Sequence, residues 1–113
     1  MRVTQLSPDF SVSDQIAPQD LALLAAQGFR AVICNRPDGE GLGQPAFATI
    51  AAAARAAGME AAYLPVVPGM AGPDEVRAFA DLLTRLPLPA LAYCRSGARA
   101  QSLWSMSRSA HAR

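Results

Sequence analysis

The residues of this sequence best suited to chemistry are a cysteine and two arginines in a short loop. The loop runs Cys94-Arg95-Ser96-Gly97-Ala98-Arg99, between a segment typical of a buried strand and a segment typical of a helix. The backbone N–H groups of such a turn, and the positive end of the helix after it, surround the sulfur and stabilise its thiolate. Gly97 permits the tight turn, and Arg99 provides a planar clamp for an anion. We therefore predict that Cys94 is the nucleophile, that Arg99 is the second catalytic residue, and that the anion-binding residues are Arg95, Ser96, Gly97 and Ala98.

Two features of the composition limit which other side chains could take part in catalysis with this loop. The sequence contains no lysine, which removes Schiff-base chemistry and a phosphate-binding lysine. Its single histidine, His111, lies near the end of the sequence, and we interpret it as a solvated tail residue. A Ser-His-Asp triad, a Cys-His dyad and a histidine metal site are therefore disfavoured, and we predict no metal and no cofactor.

Length and charge describe an ordinary globular protein. We expect one domain, residues 1–113, with its own core, because 51% of the 113 residues are hydrophobic and 17% are charged. The formal net charge of +1 argues against nucleic-acid binding through bulk charge. No apolar run is long enough to span a membrane, and the N-terminus lacks the basic and apolar regions of a secretory signal. These features, with only two cysteines, lead us to expect a cytoplasmic, reducing setting.

Strands alternate with helices along the chain, and this alternation positions the loop. We predict strands in residues 3–6, 10–12, 29–34, 59–67 and 90–93, and helices in residues 18–27, 45–57, 73–86 and 98–108. This order indicates an α/β fold with a mainly parallel sheet flanked by helices. Ligands of such sheets bind at the carboxyl ends of the strands, which places Cys94 beside the loops at 35–43 and 67–72.

Four more side chains belong to the same edge of the predicted sheet. Arg36 either lines the anion pocket or pairs with Asp38 or Glu40. Asp38 and Asp74 are candidate general acids, but each also fits a structural role. Asp38 is typical of a turn in Pro-Asp-Gly, and Asp74 is typical of the first turn of a helix. Cys34 either resolves an oxidised or persulfidated nucleophile as a disulfide, or is a cysteine of the core.

The loop and several motifs outside it resemble known families. The loop is similar to the active loop of single-domain rhodaneses, Cys-Arg-x-Gly-x-Arg. Nearly the whole chain resembles a bacterial family named beta-lactamase-hydrolase-like, protein-phosphatase-like, which is also described as a sulfur transferase family. The motifs that carry this resemblance are Leu6-Ser7-Pro8, Ser11-Val12-Ser13, Ile16-x-Pro18-x-Asp20, Gly28-Phe29, Asn35-Arg36-Pro37-Asp38-Gly39-Glu40 and Tyr93 to Arg99 with Leu103-Trp104. Asn-Arg-Pro-Asp-Gly-Glu is the most specific of them.

This resemblance implies a fold like that of dual-specificity phosphatases and a role in sulfane-sulfur metabolism. Family members occur alone or fused to persulfide dioxygenase-like metallohydrolases or sulfide:quinone oxidoreductases, which implies either enzyme as a partner. The sequence departs from the cysteine phosphatase signature, His-Cys-x5-Arg-Ser/Thr. Tyr93 replaces the histidine, the arginine comes one residue early, and Ala100 replaces the hydroxyl residue. The shorter loop makes a tighter nest, which suits a persulfide sulfur better than a phosphoryl group.

We therefore expect a sulfurtransferase that works through a Cys94 persulfide. The donor is thiosulfate or a low-molecular-weight persulfide such as glutathione persulfide, and a thiol, sulfite or cyanide accepts the sulfur in a ping-pong reaction. Two alternatives stay open. One is a cysteine-dependent phosphatase that forms a cysteinyl-phosphate, with Asp38 or Asp74 as the acid. The other is a non-catalytic persulfide carrier.

Overall fold

Five strands form a single sheet between two layers of helices. The structure, a computed structural model, describes residues 1–111, and the side chains of residues 1–109. Its elements in chain order are β1 (Val3–Ser7), β2 (Phe10–Ser13), α1 (Asp20–Ala26), β3 (Ala31–Cys34), α2 (Phe47–Ala56), β4 (Glu60–Tyr63), α3 (Pro73–Arg85), β5 (Ala90–Tyr93) and α4 (Ala98–His111). The strand order is β1-β2-β5-β3-β4, with β1 antiparallel to β2 and the other neighbours parallel. The predicted α/β fold with a mainly parallel sheet is confirmed.

Local hydrogen bonds set the ends of α1 and explain two differences from the predicted boundaries. The carboxylate of Asp20 accepts a hydrogen bond from the N–H of Ala17 at 2.8 Å, so the helix begins at Asp20. We predicted that Pro18 lies in the first turn of the helix, but it lies in the turn that precedes the helix. At the other end, the N–H of Phe29 donates to the carbonyl of Leu24 at 3.1 Å and completes the helix stop. Strand β3 therefore starts two residues after its predicted start at 29.

The three central strands of the sheet are buried on both faces, and the alternation of side chains along each strand assigns residues to one face or the other. One face packs against α1 and α2, and its buried residues include Leu21, Leu24, Val32, Cys34, Ile50, Leu91 and Tyr93. The other face packs against α3 and α4, and its buried residues include Phe10, Ile33, Phe79, Ala92, Cys94, Ala100 and Leu103. The two cysteines thus belong to opposite faces of the sheet.

The carboxyl ends of the four parallel strands meet at one edge of the sheet, as predicted. Tyr93 at the end of β5 is in register with Ser13 of β2 and with Cys34 of β3, and Cys34 is in register with Tyr63 of β4. Because β5 is the central strand, the residue that follows it emerges in the middle of this edge. The edge is therefore where side chains from several loops can meet.

Helix α4 leads away from this edge and ends later than predicted. It continues to His111, beyond the predicted end at residue 108. The side chain of His111, which we interpreted as solvated, lies outside the described residues. Across residues 1–111, we find no helix with the length and apolar composition needed to cross a bilayer.

Candidate active site

The loop between β5 and α4 holds Cys94 at the middle of the sheet edge. The N–H of Cys94 donates to the carbonyl of Ser13 at 3.3 Å, and the N–H of Gln15 donates to the carbonyl of Arg95 at 3.4 Å. These two bonds fasten the start of the loop to the segment that follows β2. Cys94 is only 1% exposed, whereas the side chain of Arg95 points to solvent. The sheet thus fixes the position of the sulfur.

Gly97 turns the chain back toward that sulfur. Its N–H donates to the Sγ of Cys94 at 3.0 Å. Its φ of 96° lies in the left-handed region, and a Cβ there would meet the backbone carbonyl of Ser13 at 3.4 Å. The N–H of Ala98 donates to the hydroxyl of Ser96 at 3.3 Å, and α4 begins at Ala98 with its positive end toward the loop. The turn therefore directs the N–H of Gly97 at the sulfur, while the N–H of Ala98 bonds within the loop.

Arg99, in the first turn of α4, reaches across the edge to the loops after β3 and β4. Its Nη1 donates to the carbonyls of Asn35 at 3.3 Å and Val66 at 3.0 Å. Nη1 and Nη2 also donate to the two carboxylate oxygens of Glu40, both at 3.1 Å. The Nε of Arg99 is buried and has no partner among the described residues. Arg99 lies beside Cys94 as predicted, but the end of its guanidinium is already engaged.

Glu40 joins Arg99 to a second arginine. The Nε of Arg36 donates to the carboxylate of Glu40 at 2.9 Å, and its Nη1 donates to the side-chain oxygen of Gln15 at 3.1 Å. Hydrogen bonds from Arg99, and then from Arg36, hold the pKa of Glu40 below its usual value, against the opposing effect of burial. The sequence left two roles open for Arg36, which were lining the anion pocket and pairing with Asp38 or Glu40. The structure contains the pairing with Glu40.

A cleft of about 450 Å³ opens beside Cys94. Its lining residues are Val66, Pro68, Gly69, Ala71, Cys94, Ser96, Ala98, Arg99, Ser102 and Met106. Among these, Arg99 carries the one charged side chain, and much of the remaining wall is apolar. Sequence reasoning missed Ser102 and Met106, although they follow Arg99 at helical spacings of three and seven and so share its face of α4.

The two candidate general acids lie elsewhere. Asp74 has the helix first-turn role that the sequence offered as an alternative, whereas the carboxylate of Asp38 has a structural role that differs from the expected one. The carboxylate of Asp38 accepts a hydrogen bond from the N–H of Phe47 at 2.8 Å and so caps the start of α2. Asp74 forms an exposed ion pair with Arg77 within the first turns of α3. Neither carboxylate lines the cleft beside Cys94. The structure therefore does not support the general-acid prediction for either residue.

Cys34 ends the strand next to β5, but its side chain points to the other face of the sheet. Its thiol donates to the carbonyl of Arg36 at 3.2 Å, and burial raises its pKa, although the hydroxyl of Tyr93 lies beside it as a donor. Burial likewise raises the pKa of Tyr93. Cys34 is in register with Tyr93, and the next residue, Cys94, points the opposite way. The structure does not bring the two sulfurs together, so a resolving disulfide would require Cys34 to leave its buried face.

The chain is similar along nearly its whole length to known proteins. Residues 2–111 match a family model described as "Beta-lactamase hydrolase-like protein, phosphatase-like domain". The Beta-lactamase hydrolase-like protein of Agrobacterium fabrum is 34% identical over 104 residues, which cover 92% of this chain and 24% of that protein. The Xylella fastidiosa protein of the same name is 31% identical over 107 residues, covering 95% of this chain and 25% of that protein. The chain spans about a quarter of the length of the curated relatives it matches.

Two solved structures relate the fold to phosphatases. A crystal structure from Neisseria meningitidis, described as that of a candidate phosphatase, has 34% sequence identity and a TM-score of 0.87, and the match covers 95% of this chain and 76% of that one. Tk-PTP in its active form has 17% identity and a TM-score of 0.59, over 84% of this chain and 63% of that one, and this likeness shows the fold alone. The predicted cysteine-phosphatase-like fold is confirmed. Because the family model covers residues 2–111, the chain belongs to the family of the phosphatase-like domain of beta-lactamase hydrolase-like proteins.

Proposed function

We propose that the protein is a cysteine-dependent sulfurtransferase that carries sulfane sulfur as a Cys94 persulfide. The observation that carries this proposal is the composition of the cleft. Among the described residues that line it, no carboxylate and no imidazole accompanies Cys94. Sulfite and thiolates are good leaving groups that depart without a proton, whereas the alkoxide of a phosphate ester is expelled most easily with a general acid. The cleft therefore suits sulfur transfer better than ester hydrolysis.

In the first step, the thiolate of Cys94 attacks the outer sulfur of the donor. A new S–S bond forms while the donor's own bond to that sulfur breaks, and the leaving group departs with the electron pair. Thiosulfate releases sulfite, and glutathione persulfide releases the glutathione thiolate. The N–H of Gly97, 3.0 Å from Sγ, and the buried Nε of Arg99 are the donors available to the two anionic partners.

In the second step, a thiol, sulfite or cyanide attacks the outer sulfur of the Cys94 persulfide. The thiolate of Cys94 is now the leaving group, so the enzyme returns to its starting state without any external oxidant or reductant. We further propose a persulfide dioxygenase or a sulfide:quinone oxidoreductase as the partner that consumes or supplies the sulfur. The family resemblance supports that partner.

The length of the loop supports the same chemistry. Four residues separate Cys94 from Arg99, one fewer than in the signature of cysteine phosphatases. The turn closes directly on the sulfur, since the N–H of Gly97 already bonds to it. A transferring phosphoryl group needs donors spread around three equatorial oxygens, which a tighter turn accommodates less well.

A cysteine-dependent phosphatase is the second candidate function, and the names of the family and of a similar solved structure support it. The family is phosphatase-like, and the Neisseria meningitidis protein with the same fold is described as a candidate phosphatase. The nest at the start of α4 is also a suitable site for a phosphate group. On this alternative, the proton for the leaving group has to come from water or from a residue outside the cleft lining.

Two assays on the same preparations separate these functions. One measures thiocyanate formation from thiosulfate and cyanide, and the other measures hydrolysis of p-nitrophenyl phosphate. Cys94→Ser provides the blank, and Cys34→Ser is the matched control for loss of a buried thiol. We expect thiocyanate formation that depends on Cys94 but not on Cys34, with negligible phosphate release. Phosphate release that depends on Cys94, without thiocyanate, would instead establish the phosphatase, and a Cys94 persulfide that no acceptor discharges would identify a carrier.

A further inference from the structure

The contact between Glu40 and Arg99 takes no part in the transfer steps, but it lowers the net positive charge of the Cys94 site. Glu40 lies in the loop after β3, 59 positions before Arg99 in the sequence. Its carboxylate spans both terminal nitrogens of the guanidinium at 3.1 Å, in the bidentate geometry of a strong charge-assisted pair. The side chains of Arg99 and Glu40 are 11% and 21% exposed, so the pair lies at the surface of the site with its arginine largely covered and its carboxylate in contact with solvent.

The pair leaves one edge of the guanidinium for a ligand. Nη1 is saturated, because it faces Glu40 and the carbonyls of Asn35 and Val66. Nη2 has a single acceptor, so one of its two hydrogens stays available, and Nε has none among the described residues. Arg99 can therefore still hold one anionic group, but with a positive charge that Glu40 already compensates.

A second arginine and a glycine keep Glu40 in this position. The Nε of Arg36 donates to the same carboxylate at 2.9 Å, and the side chain of Arg36 is buried. A Cβ at residue 41 would lie 2.5 Å from the Nη2 of Arg36, so a larger residue directly after Glu40 would make the end of the Arg36 side chain shift.

We infer that Glu40 is a specificity-determining residue that disfavours dianionic ligands at the Cys94 site by compensating the charge of Arg99. The inference rests on the proposed role of Cys94 and Arg99 as the anion site. A persulfide with an organic substituent brings one negative charge to the reacting sulfur, whereas thiosulfate and phosphate bring two. The largely apolar wall formed by residues such as Val66, Ala71 and Met106 suits an organic substituent. The preferred donor class is therefore an organic persulfide, with thiosulfate as a weaker substitute.

Protection of Cys94 from alkylation measures this preference without any turnover. Iodoacetamide labels the protein at pH 8, where inorganic phosphate is mainly a dianion, and at constant ionic strength, and peptide mass analysis follows Cys94 as inorganic phosphate or thiocyanate is added. Glu40→Gln retains the shape of the side chain and removes its charge. Glu60→Gln is the matched control, because Glu60 is exposed at the start of β4, at the opposite end of the strands.

We expect Glu40→Gln to lower the dissociation constant of phosphate by about tenfold and that of the monoanion thiocyanate by about threefold, since attraction scales with ligand charge. Glu60→Gln should change neither. Phosphate affinity that is unchanged or weaker in a folded Glu40→Gln protein would overturn the inference and leave Glu40 as a purely structural partner of Arg99. If Glu40→Gln does not fold, Glu40→Asp serves instead, because its side chain is one methylene shorter and sets the carboxylate back from the guanidinium. It should strengthen phosphate binding by about twofold to threefold, and no change would overturn the inference.

The result of this experiment does not depend on whether the proposed function is correct. Phosphate protection is measured on Cys94 whether or not a persulfide ever forms. Absence of a Cys94 persulfide with every donor would therefore remove the sulfurtransferase proposal without touching the role of Glu40. Conversely, if sulfur transfer occurs but the wild type and Glu40→Gln bind phosphate equally well, the sulfurtransferase proposal stands and the proposed role of Glu40 in specificity is rejected.

Discussion

The two cysteines lie at the ends of neighbouring parallel strands, and the differences between them define the site. Both are almost fully buried, with 2% of Cys34 and 1% of Cys94 exposed. Cys34 meets a carbonyl oxygen, to which its thiol donates, and burial raises its pKa. Cys94 instead receives the N–H of Gly97 and lines a cleft. Burial alone therefore does not decide whether a thiol is inert or nucleophilic, because the polar group that meets the sulfur differs.

The contrast arises because the two cysteines differ by one position relative to the ends of their strands. Cys34 is the last residue of β3 and points toward α1 and α2, whereas Cys94 is the first residue after β5 and points toward α3 and α4. The chain after Cys34 runs into a polar loop, but the chain after Cys94 turns at once into a helix. Only the second arrangement directs a backbone N–H, that of Gly97, at the sulfur.

Replacing each cysteine by serine should give the largest difference in sulfur-transfer activity between the two positions. Cys94→Ser should reduce sulfur transfer at least about 1000-fold, because the nucleophile is lost. Cys34→Ser should retain activity within about twofold, since serine can donate to the same carbonyl of Arg36. Steady-state thiocyanate formation measures both. A comparable loss in Cys34→Ser would mean that the two sulfurs act together despite facing opposite sides of the sheet.

Alkylation of the native protein should distinguish the two thiols by about 100-fold in rate. Iodoacetamide should label Cys94 through its cleft at neutral pH, whereas Cys34 should stay unlabelled. Because burial raises the pKa of Cys34, its labelling should stay slow even as the pH rises toward 9. Peptide mass analysis over time gives the two rates, and a denatured sample, in which both thiols react, is the control. Equal rates in the native protein would contradict the proposed difference in environment.

Replacing Arg99 should weaken the Cys94 site without affecting Cys34. Arg99→Lys keeps the charge but loses the planar contacts to Glu40 and to the carbonyl of Val66, and we expect activity to fall about 100-fold. Arg85→Lys, in an exposed ion pair on α3, should leave activity unchanged. The ratio of kcat/KM in the two variants tests the prediction. Full activity in Arg99→Lys would show that a point charge suffices at this position.

Gly97→Ala should affect both the stability and the chemistry of the Cys94 loop. A Cβ at a φ of 96°, in contact with the carbonyl of Ser13, should lower the free energy of unfolding by about 1–2 kcal/mol and reduce sulfur transfer. Gly28→Ala is the matched control, since Gly28 has a φ of 98° but nothing within 4 Å of the added Cβ. Its loss of stability should be similar and its activity unchanged. Denaturant unfolding and thiocyanate assays of both variants provide the measurements.

The smallest effect concerns acid stability. Since the pKa of Glu40 is depressed in the folded protein, Glu40 stabilises the fold above the ordinary glutamate pKa of about 4.5, and this contribution disappears as the pH falls through the folded value. The wild type should exceed Glu40→Gln in unfolding free energy by at most about 1 kcal/mol at pH 7. The difference should shrink as the pH falls below about 4.5 and vanish at the acidic pH where Glu40 is protonated in the folded protein as well. A difference that is the same at both pH values would mean that the charge of Glu40 contributes nothing.

Sequence patterns predicted the elements and the loop that holds Cys94, because both depend on local chemistry. The strand, Gly97 and the helix follow one another directly within residues 90–111. The contact of Glu40 with Arg99 was not predicted, since it joins residues 59 positions apart and requires the strand order. The opposite orientation of Cys34 also depends on the register of β3 against β5, which alternation along a single strand does not reveal. Asp38 was ambiguous for the same reason, because its partner is the N–H of a helix that begins nine residues later.

The most direct test of the central claim is the mass of the protein after brief exposure to thiosulfate, with the released sulfite counted in the same sample. We predict that the peptide containing Cys94 gains one sulfur atom and that about one sulfite is released per chain. Cys94→Ser should show neither change, and Cys34→Ser should behave as the wild type. If Cys94 gains no sulfur from thiosulfate or from glutathione persulfide, while the same preparation releases phosphate in a Cys94-dependent reaction, the sulfurtransferase account is contradicted and the phosphatase takes its place.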